Sequence, residues 1–236
     1  MLVVGFPTHG LVGSVAVSYL VHSLEMSPIG HMLSDRFPPT VVMEAGVVQP
    51  PVRLYASRQI CGVDGKCSQL VAVLSDIQPP PELLNPIGER LLDYAEARGI
   101  QLVVALEGQP VEQRSRGDVR VVAMCNSSAV GVLENYRFPR ATGLVTGFAG
   151  ALLLASVGRK LPVLCLVAQA HKSHPDARAA ARMLEIIRPM VPMLVIDTMP
   201  LKRKAEEIEG ELRRNIVQQR ASLKELEEPG GGEMYR

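Results

Sequence analysis

The feature that most constrains this chain is a series of short apolar runs that lack polar alternation. LVVGF (2–6), QLVAVLSD (69–76), IQLVVALEG (100–108), VRVVAMCN (119–126) and PVLCLVAQA (162–170) all read this way. A strand with one wet face alternates apolar and polar residues, whereas a run apolar on both faces is covered on both sides, usually in a parallel sheet. Helical stretches separate these runs, at about 11–24, 81–98, 146–161 and 174–190. The second opens on Pro81 and stops at Gly99, which is the expected asymmetry of helix ends. Shorter strands are predicted over 29–33, 40–48 and 51–61, a hairpin turn at VDGK (63–66), and a short helix over 128–136. The alternation predicts an α/β fold: a three-layer sandwich with a largely parallel or mixed sheet. The chain has 236 residues, within the range of one such domain.

Charge and composition then exclude several functions. Lys+Arg is 25 against Asp+Glu 24, so no basic excess marks a nucleic-acid surface. Trp is absent and aromatics are 4%, which leaves little for a base-stacking platform. The longest apolar stretch, 143–157, is too short to span a bilayer, and no basic-then-apolar leader opens the chain. A cytoplasmic protein without nucleic-acid or membrane partners is expected. The cysteines, at 61, 67, 125 and 165, form no CxxC knuckle, and no HExxH pattern occurs, so no metal is expected. Cys125 and Cys165 sit in apolar runs and read as core thiols.

No catalytic constellation assembles from the remaining residues. GFPTHG (5–10) has P-loop spacing, but Leu11 and Val12 stand where Lys and Ser/Thr are required. Thr8 breaks the dinucleotide fingerprint. The turn then either binds an anion through free N–H groups or lets strand and helix pack closely, and packing is the simpler reading. His9 lies in that turn, and His171 and His174 follow a strand, with Asp176 nearby to complete a metal pair or to stabilise a helix start. Glu44 and Glu107 are acids near strand ends, where α/β crevices lie. Ser14, Ser75 and Ser127 lack a nucleophile-elbow setting. No catalytic residue and no cofactor is expected. The rival reading is a small-molecule binder or enzyme, of nucleoside or phosphate type, using the strand-end crevice near Gly10, Glu107 and His171.

After Pro200 the composition changes. Residues 201–228 are densely charged, with apolar residues at 201, 205, 208, 212, 216, 223 and 226, a heptad-like seam with one stutter. Such a helix is about 40 Å long, and its stripe needs either another copy or the chain's own body as a partner. Pro229 and Gly230 to Gly232 end it as a flexible tether. The chain closes on Met234-Tyr235-Arg236. A hydrophobic residue followed by a penultimate Tyr arises there by chance roughly 1% of the time from this composition. A groove takes up such an end by burying the apolar chain and ring, bonding the Tyr hydroxyl and pairing the carboxylate with a lysine. The expected layout is thus a body over 1–200, a charged helix over 201–228 and a docking tail over 229–236.

Two segments carry a resemblance. GFPTHGLVGSVAVSYL (5–20) resembles the opening motif of the PAC2 family, the proteasome assembly chaperone 2 group, with Thr8 and His9 departing from its usual residues. ATGLVTGFAGALLLASVGRKLPVLCLVAQAHKSHPDARAAARMLEII (141–187) is similar to a second motif of that family. The resemblance implies a purine nucleoside phosphorylase-like three-layer fold and a non-catalytic proteasome assembly chaperone or activator. It also implies a homo-oligomer, tetramer or pentamer. Met234 and Tyr235 would enter a pocket between α subunits of the 20S proteasome, and the Arg236 carboxylate would meet a pocket lysine. Members carry a few residues before the first strand, so a short segment is expected ahead of Met1.

Overall fold

The structure is a computed structural model that describes residues 1–61, 67–111, 119–172, 174–191 and 196–203. In chain order its elements begin with β1 (Leu2–Gly5), α1 (Val12–Ser23), β2 (Ser27–Met32), β3 (Val42–Glu44), β4 (Val47–Gln49) and β5 (Val52–Ala56). There follow β6 (Ile60–Cys61), β7 (Cys67–Ser68), β8 (Val71–Ser75), α2 (Pro81–Ala97), β9 (Val103–Pro110) and β10 (Val121–Cys125). The last are α3 (Val130–Asn135), α4 (Gly147–Ala155), β11 (Val163–Ala170) and α5 (Ala177–Ile187).

One sheet organises the fold, in the order β10-β11-β9-β1-β8-β5-β2. Four of the five apolar runs noted above form its parallel centre, β11 on β9, β9 on β1 and β1 on β8, whereas the fifth, over 119–126, becomes the antiparallel edge strand β10. Antiparallel neighbours close it, β10 on one side and β5 then β2 on the other. Alternate strand residues enter opposite helix layers, as the period of two requires. Val3, Val104, Leu106, Leu164 and Leu166 pack with α1 and α5, whereas Leu2, Val4, Val103, Ala105, Val163 and Cys165 pack with α2 and α4. The α/β three-layer sandwich with a mixed sheet is therefore the observed fold.

Several boundaries differ from the sequence expectation. Residues 40–48 are not one strand. Ala45 and Gly46 both take positive φ (48° and 82°) and fold them into the β3–β4 hairpin. This is the backbone a two-residue hairpin loop requires. The strand expected over 51–61 breaks after Ala56. Helix α4 ends at Ala155 rather than 161, with Gly158 in the left-handed region soon after. Helix α5 starts only at Ala177, because Asp176 accepts from the Ala179 N–H and sets the N-cap. β6 and β7 pair on either side of 62–66, and the VDGK turn itself lies outside the described residues.

The start of the charged helix rests on the body. Leu201 and Ile196 are buried in the α1–α5 layer, Lys202 pairs with Glu185, and the Tyr19 hydroxyl donates to the Asp197 carbonyl at 2.6 Å. The rest of the seam, from 204, lies outside the described residues. Among the described residues no helix is long and apolar enough to cross a membrane.

Candidate functional site

A cleft of about 850 Å³ opens at the carboxyl ends of the parallel strands. Its position follows from topology. The sheet has β8 on one side of β1 and β9 on the other, so the connections diverge there and leave a crevice, as open α/β sheets do at a switch point. The turn after β1 (Phe6 to Leu11) and the end of β9 (Glu107 to Pro110) form its floor. Helix α4 covers Val163 and Cys165 but not the outer half of the same face. Val122, Met124 and Val167 are left half-buried along the cleft wall. The segment Ala141 to Gly147 forms the opposite wall.

Glu107 is the chemically distinctive residue. It is only 9% exposed. Its Oε1 accepts from the Ala149 N–H at 2.7 Å. Ala149 is the third residue of α4, and the N-cap residue Thr146 makes no side-chain capping bond. Glu107 thus satisfies from β9 a donor that the helix's own cap leaves open. Burial pushes its carboxyl up to about 7, and the Ala149 N–H opposes this without outweighing it. No described side chain forms an ion pair with it.

The glycine turn answers the choice left open by the sequence. A Cβ on Gly13 would strike the Leu106 carbonyl oxygen, and one on Gly108 the His9 carbonyl oxygen. The glycines therefore let α1 and the turn press directly on β9. Thr8 reinforces this contact, its hydroxyl accepting from the Gly108 N–H at 2.9 Å. Asp176 ties the turn to the far loop: its N–H donates to the Gly10 carbonyl at 2.8 Å. Its carboxylate also accepts from the His171 and Ala179 N–H groups. Asp176 is a structural cap rather than a ligand held in reserve.

The other sequence candidates divide clearly. Gly10, Glu107, His9 and His174 line the cleft, whereas His171 does not, although its ring stacks on His174 with centroids 4.3 Å apart. Glu44 is remote from it and pairs with Arg53 at 2.7 Å, which also holds Asp76. Ser14 donates to the Leu11 carbonyl and Ser75 to the Ile77 carbonyl. Cys165 is fully buried and Cys125 half-buried. Among the described residues no three His, Cys, Asp or Glu side chains cluster as a metal site. Sequence reasoning overlooked Lys172 at the mouth and the 141–147 wall. A signal for the wall was present: Gly143 and Gly147 bracket Leu144, which is fully exposed. Met234, Tyr235 and Arg236 lie outside the described residues.

Comparison with known proteins supplies the family. The chain is similar to Pyrococcus furiosus PbaA, an archaeal homolog of proteasome-assembly chaperone, at 28% identity and a TM-score of 0.79, covering 96% of this chain and 91% of that one. It shares its fold with Pyrococcus furiosus PbaB, an archaeal proteasome activator, at 24% identity and a TM-score of 0.76, covering 90% and 91%. It is 27% identical over 214 residues to the Methanocaldococcus jannaschii protein MJ0106, covering 90% of this chain and 84% of the relative. The PAC2 family model matches residues 2–216, from the first strand into the charged segment after Pro200. On that match, the chain belongs to the PAC2 family.

Proposed function

We propose that this protein is a cytoplasmic proteasome assembly chaperone or activator-like protein that acts without catalysis. In this reading it forms a homo-oligomer and docks its C-terminal tails into the α ring of a 20S proteasome. The observation that carries the reading is the likeness to PbaA across nearly the whole of both chains. The docking groups are Met234, Tyr235 and the Arg236 carboxylate. Supporting this is the end of the sequence itself, an apolar residue and a penultimate Tyr behind three glycines.

Assembly has a physical motive in the fold. β2 is an edge strand carrying Ile29, with Leu33 just after it, and these and Val41, Met43, Val47 and Val48 at the β3–β4 hairpin are all about half exposed or more. Exposed apolar edges of this kind favour association. Within the assembly the body over 1–200 is the oligomerising unit, the helix over 201–228 carries the tails, and 229–236 is the tether and docking end. Leu201 supports this by fixing the helix root on the α1–α5 layer. A tetramer or pentamer presents several tails to one ring, so weak single contacts add through effective concentration.

The test is a pull-down of 20S core particle by the full chain and by a chain lacking Met234 to Arg236. Retention by the full chain alone is expected. Equal retention by both removes the tail from the mechanism.

A further inference from the structure

Glu107 turns one carboxyl oxygen to the cleft. Its Oε1 is held by the Ala149 N–H, and no described group bonds Oε2. A carboxylate this deeply placed ordinarily has a cation or several donors around it. Here the side chain lines an open cleft. The half-buried side chains of Val122, Met124 and Val167 line the same cleft and make an apolar patch in it. The cleft therefore sets a deeply placed carboxylate beside an apolar patch, with Thr8, Gln78, Gln109, Thr142 and Thr146 elsewhere in its lining.

We propose that this cleft binds a small organic cation, an amidine or primary amine on an apolar body, whose nitrogen meets the free oxygen of Glu107. The apolar body lies against Val122, Met124 and Val167. A desolvated carboxylate gains most from a donor that carries positive charge. An anion entering the same cleft would stand against Glu107. Among the described residues Lys172, His9 and His174 also line the cleft, Lys172 and His9 being exposed and His174 half-buried. Cys165, on the neighbouring strand, is a titratable group close enough to feel Glu107, and burial pushes its thiol up. This inference is independent of the proteasome reading and needs no tail.

Calorimetric titration of the full-length protein tests it, with benzamidine as the cation, indole as a neutral N–H donor of similar size, and benzoate and inorganic phosphate as anions. Benzamidine is expected to bind with a Kd of about 1 mM or tighter, a reasonable limit for so small a ligand. Its affinity should rise about tenfold per pH unit up to about pH 7, where Glu107 ionises, and level off above. Glu107→Gln keeps an acceptor for Ala149 and should weaken benzamidine more than about tenfold. Val122→Trp fills the cleft beside Glu107 and should do the same, which decides the matter if the first variant folds poorly. The proposal is overturned by tighter binding of either anion, or by indole binding as well as benzamidine. No benzamidine binding at pH 8, or wild-type affinity in both variants, also overturns it.

Discussion

Glu107 keeps a carboxyl where water barely reaches it, and that placement costs stability at neutral pH. In the unfolded chain it ionises near its ordinary value of 4.5, in the fold only at about 7. Between those values the folded state holds a proton that the unfolded state has lost, so stability falls as pH rises through this window. The difference amounts to about 3 kcal/mol at most. Glu107→Gln should therefore unfold at higher urea than wild type at pH 8, with the gain fading as pH falls to 4.5. A variant no more stable at pH 8 would contradict the burial cost assigned to this group. The glycines give a second test at this scale. Gly108→Ala drives a Cβ into the His9 carbonyl and should cost more than about 3 kcal/mol, because backbone has to move. Gly131→Ala, in α3 with open space around it, should instead stabilise by about 0.5–1 kcal/mol. Equal effects in urea unfolding would show that the turn after β1 is looser than its contacts imply.

Among the elements, those built by burial were legible in the sequence and those built by single backbone angles were not. The strands β1, β8, β9 and β11 read directly from apolar runs, because covering both faces leaves no polar alternation. Helix α2 read from Pro81 at its start and Gly99 after its end, whereas α5 was found but began at Ala177, after its Asp176 cap, rather than at 174. The β3–β4 hairpin did not, since its apolar residues stay exposed and its turn depends on positive φ at Ala45 as well as Gly46. What ties it to the body is Arg53, only 6% exposed, which bonds Glu44 of the hairpin and Asp76 beyond β8. A pairing between residues so separated in sequence leaves no local signal. The same holds for the cleft. Glu107 was a candidate from its strand end, but its partner Ala149 lies 42 residues away. The hairpin carries a prediction of its own. Met43 and Val48 are register partners on one of its faces, both close to 60% exposed. Met43→Lys with Val48→Lys should leave the fold intact and shift native mass toward the monomer. An unchanged mass would move the interface elsewhere on the body.

Across the whole molecule the composition changes after Pro200, from a body rich in apolar runs to a densely charged segment that ends in glycines. The body has the neutral balance and buried sheet of a stable scaffold. The end has the charge, the glycines and the penultimate tyrosine. Family membership joins both, since the match to the PAC2 family runs from residue 2 to 216 and includes the root of the charged helix. If several tails act together, weakening each one is felt several times over. Surface plasmon resonance on immobilised 20S core particle, with the full-length protein and its Tyr235→Ala variant, measures this directly. The account predicts saturable binding by the wild type and a loss of at least about a hundredfold in the variant. Equal affinity of the two, or no binding by either, would contradict it.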